Sequence, residues 1–273
     1  MERKLWKVLY QIVKKMSNRW GAWRYSTGEI VGVYLWSVAN DRPMVWALDP
    51  ANWPDDVRPV GLPSQSTLSR RLRHADAVDL MTAVEQQWMI LLAIGRRLIR
   101  VIDGKALPIS KISKDADIGY GRGAGEFQTG YKLHAVWDGG PLPIAWALAP
   151  MNTSEKKMAK ALIPTLPGGG YLLGDNQYDA NPLYDLAGQS GFQLVAPPPR
   201  SRGRGGLGHR RQSPYRLRCL ELLKTRFGRA LFHQRGLIER KFGNLTSCGS
   251  GLAPLPAWVR RFTRVRNWVH AKL

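Results

Sequence analysis

The sequence predicts an α/β fold, a mixed β-sheet flanked by helices, following an N-terminal region that is helical throughout. Three observations carry this. Apolar residues recur at helical spacing up to about residue 97. From residue 98 the period changes to short apolar runs of strand length that alternate with helical segments. Two of those runs are joined by Gly139 and Gly140, a hairpin signal, whereas the others are separated by helices, so antiparallel and parallel pairs must share one sheet.

In the N-terminal region Leu5, Val8, Leu9, Ile12, Val13 and Met16 mark a first helix, and Ile30 to Ala39 a second. Residues 43–63, rich in Pro, Trp and Asp, read as a loop. The stretch LPSQSTLSRRLRHAD, residues 62–76, offers Ser64 or Ser66 as N-cap, apolar Leu68 and Leu72, and Arg70, Arg71 and Arg73 on its polar faces. Two readings stand for it: the recognition helix of a helix-turn-helix, laid in a DNA major groove, or an amphipathic helix with a solvated basic face. A longer helix runs from Asp76 to Ile94 and ends at Gly95.

Residues 98–103, LIRVID, form the first strand; 131–138 and 141–149 form the hairpin. A helix over 154–163 opens at Ser154 and ends before Pro164. YLLGD, 171–175, is the fourth strand, 181–191 a helix with Pro182 near its first position and Gly191 after its end, and 192–198 the fifth strand. Residues 197–214, dense in Pro, Gly and Arg, read as a mobile basic loop. Helices over about 215–227 and 233–243 and a basic helix over about 257–270 complete the chain. Strand, hairpin, helix, strand, helix, strand, helices is the order of an RNase H-like domain. The expected organisation is a helical DNA-binding region over 1–97, an RNase H-like domain over 98–245 and a basic C-terminal helix over 246–273.

In 273 residues, 41 Lys and Arg stand against 20 Asp and Glu, a net charge of +21. A chain this basic meets a polyanion, and nucleic acid is the commonest. The arginines cluster: Arg96, Arg97 and Arg100; Arg200 to Arg211; Arg260 to Arg266. The longest apolar stretch, Trp88 to Ile94, is too short for a membrane span, and the charged N-terminus does not read as a secretory signal. Cys219 and Cys248 make neither a disulfide framework nor a zinc site, which fits a reducing cytoplasm. The five histidines lack metal-ligand spacing, and Gly119, Gly121, Gly123 and Gly125 lack the Lys-Ser/Thr of a phosphate-binding loop.

Against so few acids, three positions stand out. Asp103 closes the first strand, Asp175 closes the fourth, and Glu239 lies in a helix whose apolar stripe, Ile238 and Phe242, it avoids. In an RNase H-like sheet the first and fourth strands are neighbours, so their carboxylates lie side by side and a late helix brings a third. Such a trio would bind two divalent cations and support an in-line phosphoryl displacement. Asp179 reads instead as a helix-entry residue and Asp138 as part of the hairpin turn.

Four blocks in order, VIDGKAL (101–107), GRGAGEFQTGYKLHAV (121–136), LLGDNQYDAN (172–181) and RGLIERKFGNL (235–245), resemble those of bacterial insertion-sequence DDE transposases with a Tyr-Arg-Glu-Lys signature around the third acid. The resemblance implies a catalytic and metal-binding triad of Asp103, Asp175 and Glu239, with two Mg²⁺ or Mn²⁺ ions, in a compact form without a large β insertion, since only 64 residues separate the last two acids. Arg235 is kept four residues before Glu239; the Tyr and Lys positions carry Phe232 and Thr246. In the family these groups contact terminal DNA phosphates, and Arg240 or Lys241 stands where a lost cation could be replaced. Arg235 either pairs with Glu239 or binds phosphate. Lys105 is a phosphate contact or a solvated edge lysine. Tyr178 stacks on a distorted base or holds the turn, and Tyr131 and Lys132 read as packing and solvation.

The resemblance implies a cytoplasmic, nucleoid-associated DNA transposase that binds terminal inverted repeats, acts as an endonuclease to expose 3′ ends, and joins them to double-stranded target DNA as a homodimer, with no membrane partner. Two alternatives stay open: a catalytically inactive, transposase-derived DNA-binding protein, and an RNase H-like nuclease unrelated to transposition.

Overall fold

The structure, a computed structural model, describes residues 3–17, 24–110, 115–123, 125–199, 211–247 and 251–273. The chain forms two compact units, one of Met1–Leu91, Ser247–Leu252 and Pro256–Leu273, the other of Leu92–Thr246 and Ala253–Leu255.

In the first unit α1 is Arg3–Met16, α2 Thr27–Ala39, α3 Gln65–Arg71 and α4 Ala75–Leu91. Helix α2 is apolar on all sides and therefore central, with Ile30, Val31, Val33, Leu35 and Val38 buried. It starts on a capping box: the Ser26 hydroxyl accepts from the Glu29 N–H while the Glu29 carboxylate accepts from the Ser26 N–H. Gly32 admits α1, since a Cβ there would fall 2.6 Å from the Tyr10 ring. Trp36 packs at 4.9 Å from both Trp6 and Trp53 and 6.5 Å from Trp46. Residues 43–63, expected as an open loop, are consequently held by two short 3₁₀ turns, with the Trp36 indole donating to the Asn52 carbonyl and the Trp53 indole to that of Ala47.

The N-cap of α3 is Ser64, which accepts from the Thr67 N–H. The C-terminal helix begins at Phe262, later than the expected 257, and belongs to this unit: Asn267 donates to the Leu72 carbonyl, Lys272 pairs with Asp41, and His270 lies 2.9 Å from Glu85.

The second unit holds one mixed six-stranded sheet. Its strands are β1 Ile99–Pro108, β2 Gly119–Arg122, β3 Phe127–Trp137, β4 Ala145–Pro150, β5 Gly170–Leu173 and β6 Phe192–Val195. β1 runs antiparallel to β3 from Val101 opposite Trp137 to Pro108 opposite Gly130. The outer edge of β3 is shared, first by β2 and then by β4. On its other side β1 runs parallel to β5 for three residues only, ending with Val101 beside Leu173, and β5 runs parallel to β6. The helices are α5 Glu155–Leu162, α6 Asn181–Gln189, α7 Pro214–Lys224, α8 Arg226–His233 and α9 Gly236–Ser247.

Ser154, Ser213 and Thr225 cap α5, α7 and α8 with their side chains. The sequence predicts two helices across 215–243 where the structure has three, because Thr225 ends one and starts the next. β1 extends five residues past Asp103, its expected end, because β3 continues to pair with it. β2 is also new, and its glycines explain it: a Cβ on Gly121 would lie 2.6 Å from the Met151 carbonyl oxygen, so only glycine lets the strand close on that segment. The central part of the expected basic loop, 200–210, lies outside the described residues.

Asp138 and Asp179 have structural partners. Asp138 accepts from the Gly95 and Gly140 N–H groups, and Asp179 takes a bidentate pair from Arg216 at 2.7 and 2.8 Å.

Candidate active site

Parallel pairing of β1 and β5 sets two acids at one end of the sheet. Asp103 comes two residues after Val101, the last β1 residue that pairs with β5, so it stands where that edge of β1 becomes free. Asp175 comes two residues after β5 and caps a short 3₁₀ turn, accepting from the Gln177 N–H at 2.8 Å. The third acid comes on α9. Phe242 of α9 meets Trp137 of β3 edge-on at 5.3 Å, and Ile238 is fully buried. Glu239, next to that buried stripe, keeps 64% of its side chain exposed.

Arg235 links the acids. Its guanidinium lies 2.9 Å from the Glu239 carboxylate and 3.6 Å from that of Asp103. Burial pushes the Asp103 carboxyl up to about 6; the Gly104 N–H opposes that, the charge of Asp175 adds to it, Arg235 opposes it, and Glu239 adds again. Asp103 thus sits within electrostatic reach of both other acids. Among the described residues no three His, Cys, Asp or Glu side chains are gathered closely enough to hold a metal ion. In kind the donors suit a hard divalent cation, being the carboxylate oxygens of a desolvated Asp103 and of Asp175, whose charge repels it, whereas Glu239 is engaged by Arg235.

Behind Asp103 lies a second polar cluster. A Cβ on Gly104 would come within 3.0 Å of the Lys132 side chain and 3.3 Å of His134 Nδ1. Lys132 donates to Glu155 at 2.8 Å, both largely buried. Burial tends to raise the Glu155 carboxyl, but the Lys132 hydrogen bond and charge hold it below its ordinary value. His134 is buried with neither ring nitrogen hydrogen-bonded, and burial brings its pKa down to about 4. The Tyr178 hydroxyl is likewise buried without a partner; burial, then the charges of Asp103, Glu155 and Asp175, hold its pKa well above the usual value.

A groove of about 890 Å³ is lined by Asp103 and Asp175, by Lys105 of β1, by Tyr120 and Arg122 of β2, by Lys132 of β3 and by the 151–155 segment. The structure therefore groups Asp103, Asp175, Glu239, Arg235 and half-buried Lys105, with exposed Arg240 and half-buried Lys241 next to Glu239 on α9. Tyr178 is 1% exposed, so its ring face is not open to a base. Arg70 on α3 and Arg73 just past its end are exposed, but Arg71 is 3% exposed and turned inward: it donates to the Tyr25 carbonyl and Thr27 hydroxyl and pairs with Asp76. Its expected position on a DNA-facing surface is corrected by those partners. Phe232 is half-buried on α8, and the Thr246 side chain lies outside the described residues.

The Lys132–Glu155 pair and the Tyr120 end of the groove are not apparent in the sequence. Lys132 and Glu155 are 23 residues apart and meet only through the sheet. The sole local signal at Tyr120 is glycine alternating with large residues over 119–122.

Acids at the ends of paired strands, a third on a helix and a groove lined by Lys105 and Arg122 define a class, an acidic centre beside a groove that carries cationic side chains. A sequence model of the transposase DDE domain matches residues 94–269, and the chain belongs to that family. Its members generally work with divalent metal ions and act on DNA. No curated protein and no solved structure matches the chain. Among the described residues no helix is long and apolar enough to cross a membrane.

Proposed function

We propose that this member is a DNA transposase that binds terminal inverted repeats, hydrolyses a DNA strand at the element end and joins the released 3′ end to target DNA. The observation that carries the reading is the set of three acids at one end of the sheet, with Asp103 raised by its burial and by the other two charges. The strand order β4-β3-β1-β5-β6, antiparallel through β1 and parallel beyond it, supports an RNase H-like domain.

Asp103 and Asp175 would hold Mg²⁺ or Mn²⁺, two ions in all, and Glu239 would complete the oxygen set. The ions would supply an activated attacking oxygen and charge neutralisation at the leaving one. The chain's own groups do the rest. Arg235, whose single charge lies between Asp103 and Glu239, would turn its guanidinium to a phosphate, and Lys105 lines the groove that starts at Asp103. In the first step a water oxygen bonds to phosphorus and the 3′ oxygen leaves, taking a proton. In the second the oxygen of that 3′ hydroxyl gives up its proton and bonds to a target phosphorus, and the target's 3′ oxygen leaves and takes up a proton. Exposed Arg70 on α3 and Arg73 just past its end would contact the repeats, and two protomers would join in synapsis of two ends.

The test uses a donor plasmid carrying the DNA that flanks the gene. With Mg²⁺, the wild-type protein releases and joins the segment, whereas Asp103→Asn, Asp175→Asn and Glu239→Gln bind it and leave it uncut. Cutting by Asp175→Asn at the wild-type rate refutes the assignment. One observation favours a second reading, a DNA-binding descendant that does not cut: Arg235 bridges Asp103 and Glu239, while Phe232 and Thr246 replace the family's Tyr and Lys. Tight end binding by the wild type with no cleavage in Mg²⁺ or Mn²⁺ would select it.

A further inference from the structure

Two aromatic rings lie uncovered at the far end of the groove. Tyr120 on β2 is 65% exposed and Phe127 on β3 63% exposed, and their rings stack at 5.5 Å with 23° between planes. The strand pattern puts them there. Gly121 closes on the Met151 backbone and Gly119 on Asn152, so the intervening Tyr120 and Arg122 point to the opposite face. Arg122 pairs across the strands with Phe127, and Tyr120 with Thr129, which makes Tyr120 and Phe127 diagonal neighbours on one face, with Arg122 next to them.

Rings that filled the core would be covered; these present an open π surface flanked by a cation. Tyr120 and Arg122 line the groove that starts at Asp103 and Asp175 and passes Lys105. We propose that Tyr120, backed by Phe127, stacks on an unpaired base of the DNA strand whose phosphate lies at Asp103 and Asp175, with Lys105 and Arg122 contacting phosphates on the way. This rests on the transposase reading above.

The occupant follows from the chemistry. A base inside a duplex has both faces covered by its neighbours, so only an unpaired nucleotide offers a face to Tyr120. Every base has such a face, which makes the contact tolerant of sequence, and Arg122 and Lys105 match the phosphates on either side. The groove walls are too polar for an apolar helix, being lined by half-buried Gln128 and Lys105 and by exposed Asn152 and Arg122.

The test uses the full chain, Ca²⁺ in place of Mg²⁺, and a single-stranded oligodeoxynucleotide of about ten residues carrying one central 2-aminopurine. On binding to the wild type the 2-aminopurine emission is quenched. Tyr120→Leu, at a largely exposed site, keeps the fold but lacks the ring: it weakens single-strand binding about 5- to 100-fold and abolishes quenching, while duplex affinity stays within about twofold. Tyr120→Phe retains wild-type affinity and quenching, a rescue that a purely structural role for the hydroxyl would not give. Unchanged emission on wild-type binding, or wild-type affinity and quenching in Tyr120→Leu, overturns the stacking role while leaving duplex binding and cleavage to judge the transposase reading. A wild-type protein that binds neither DNA form overturns both.

Discussion

His134 and Asp103 stand on paired strands and are displaced in opposite senses. His134 falls to about 4 from an ordinary 6.5, chiefly through burial, so only its neutral form is tolerated in the fold. Its contribution to stability is full above pH 6.5 and is lost as pH falls from there, because the unfolded chain takes up the proton first. Asp103 rises from 3.8 to about 6, so its charged form costs stability above pH 6 and that cost is relieved on acidification. Between pH 6.5 and 4.5 each effect spans about 2 kcal/mol, and they oppose each other. In EDTA, urea unfolding of the wild type should therefore be nearly flat over this range. His134→Phe should gain stability as pH falls, and Asp103→Asn should lose it. Parallel curves for the three proteins would show that neither shift exists.

At the level of one element, the end of α3 and the turn after it carry three arginines with two fates, Arg70 and Arg71 in the helix and Arg73 just beyond it. Arg71 is held by Tyr25, Thr27 and Asp76, so Arg71→Ala strips buried acceptors and should cost about 2–4 kcal/mol in chemical denaturation. Arg70→Ala with Arg73→Ala should leave stability within about 0.5 kcal/mol yet lower the slope of log affinity for duplex DNA against log salt by up to about two units. The reverse pattern would put the DNA-facing side of α3 elsewhere. The helix itself is legible in Ser64, Leu68 and Leu72, because a cap and an apolar spacing are local facts. The direction of Arg71 is not, because its partners come from residues 25–27 and 76. The same division holds in the sheet. LIRVID reads as a strand and places Asp103, but the run on through Gly104 to Pro108 comes from pairing with β3, against weak local propensity. GYGR has no strand signature, and its conformation is set by the backbone at Met151. Asp175 is legible because it follows an apolar strand, whereas the Lys132–Glu155 pair is made by tertiary packing alone.

For the whole molecule the excess of 41 basic over 20 acidic side chains acts in two opposite senses. Several of the acids are already committed internally, Glu29 in a cap, Asp138 in a turn, and Asp76, Glu155 and Asp179 to cations of the fold, which leaves few to offset the exposed arginines. Like charges repel in the folded state more than in the expanded chain, so added salt, by screening them, should stabilise the protein. DNA binding by a transposase gains from displacing counterions, so the same salt should weaken it, by about 10³- to 10⁵-fold between about 50 and 200 mM if six to ten phosphates are contacted. Thermal unfolding and fluorescence anisotropy on a labelled duplex, both run across that range with KCl, should therefore move in opposite directions: the melting temperature rises while affinity falls. A melting temperature that drops together with affinity would mean that internal ion pairs such as Asp179–Arg216 and Lys132–Glu155 outweigh the surface repulsion, and that the net charge is less concentrated on exposed, DNA-accessible groups than Arg70, Arg73 and Arg240 indicate.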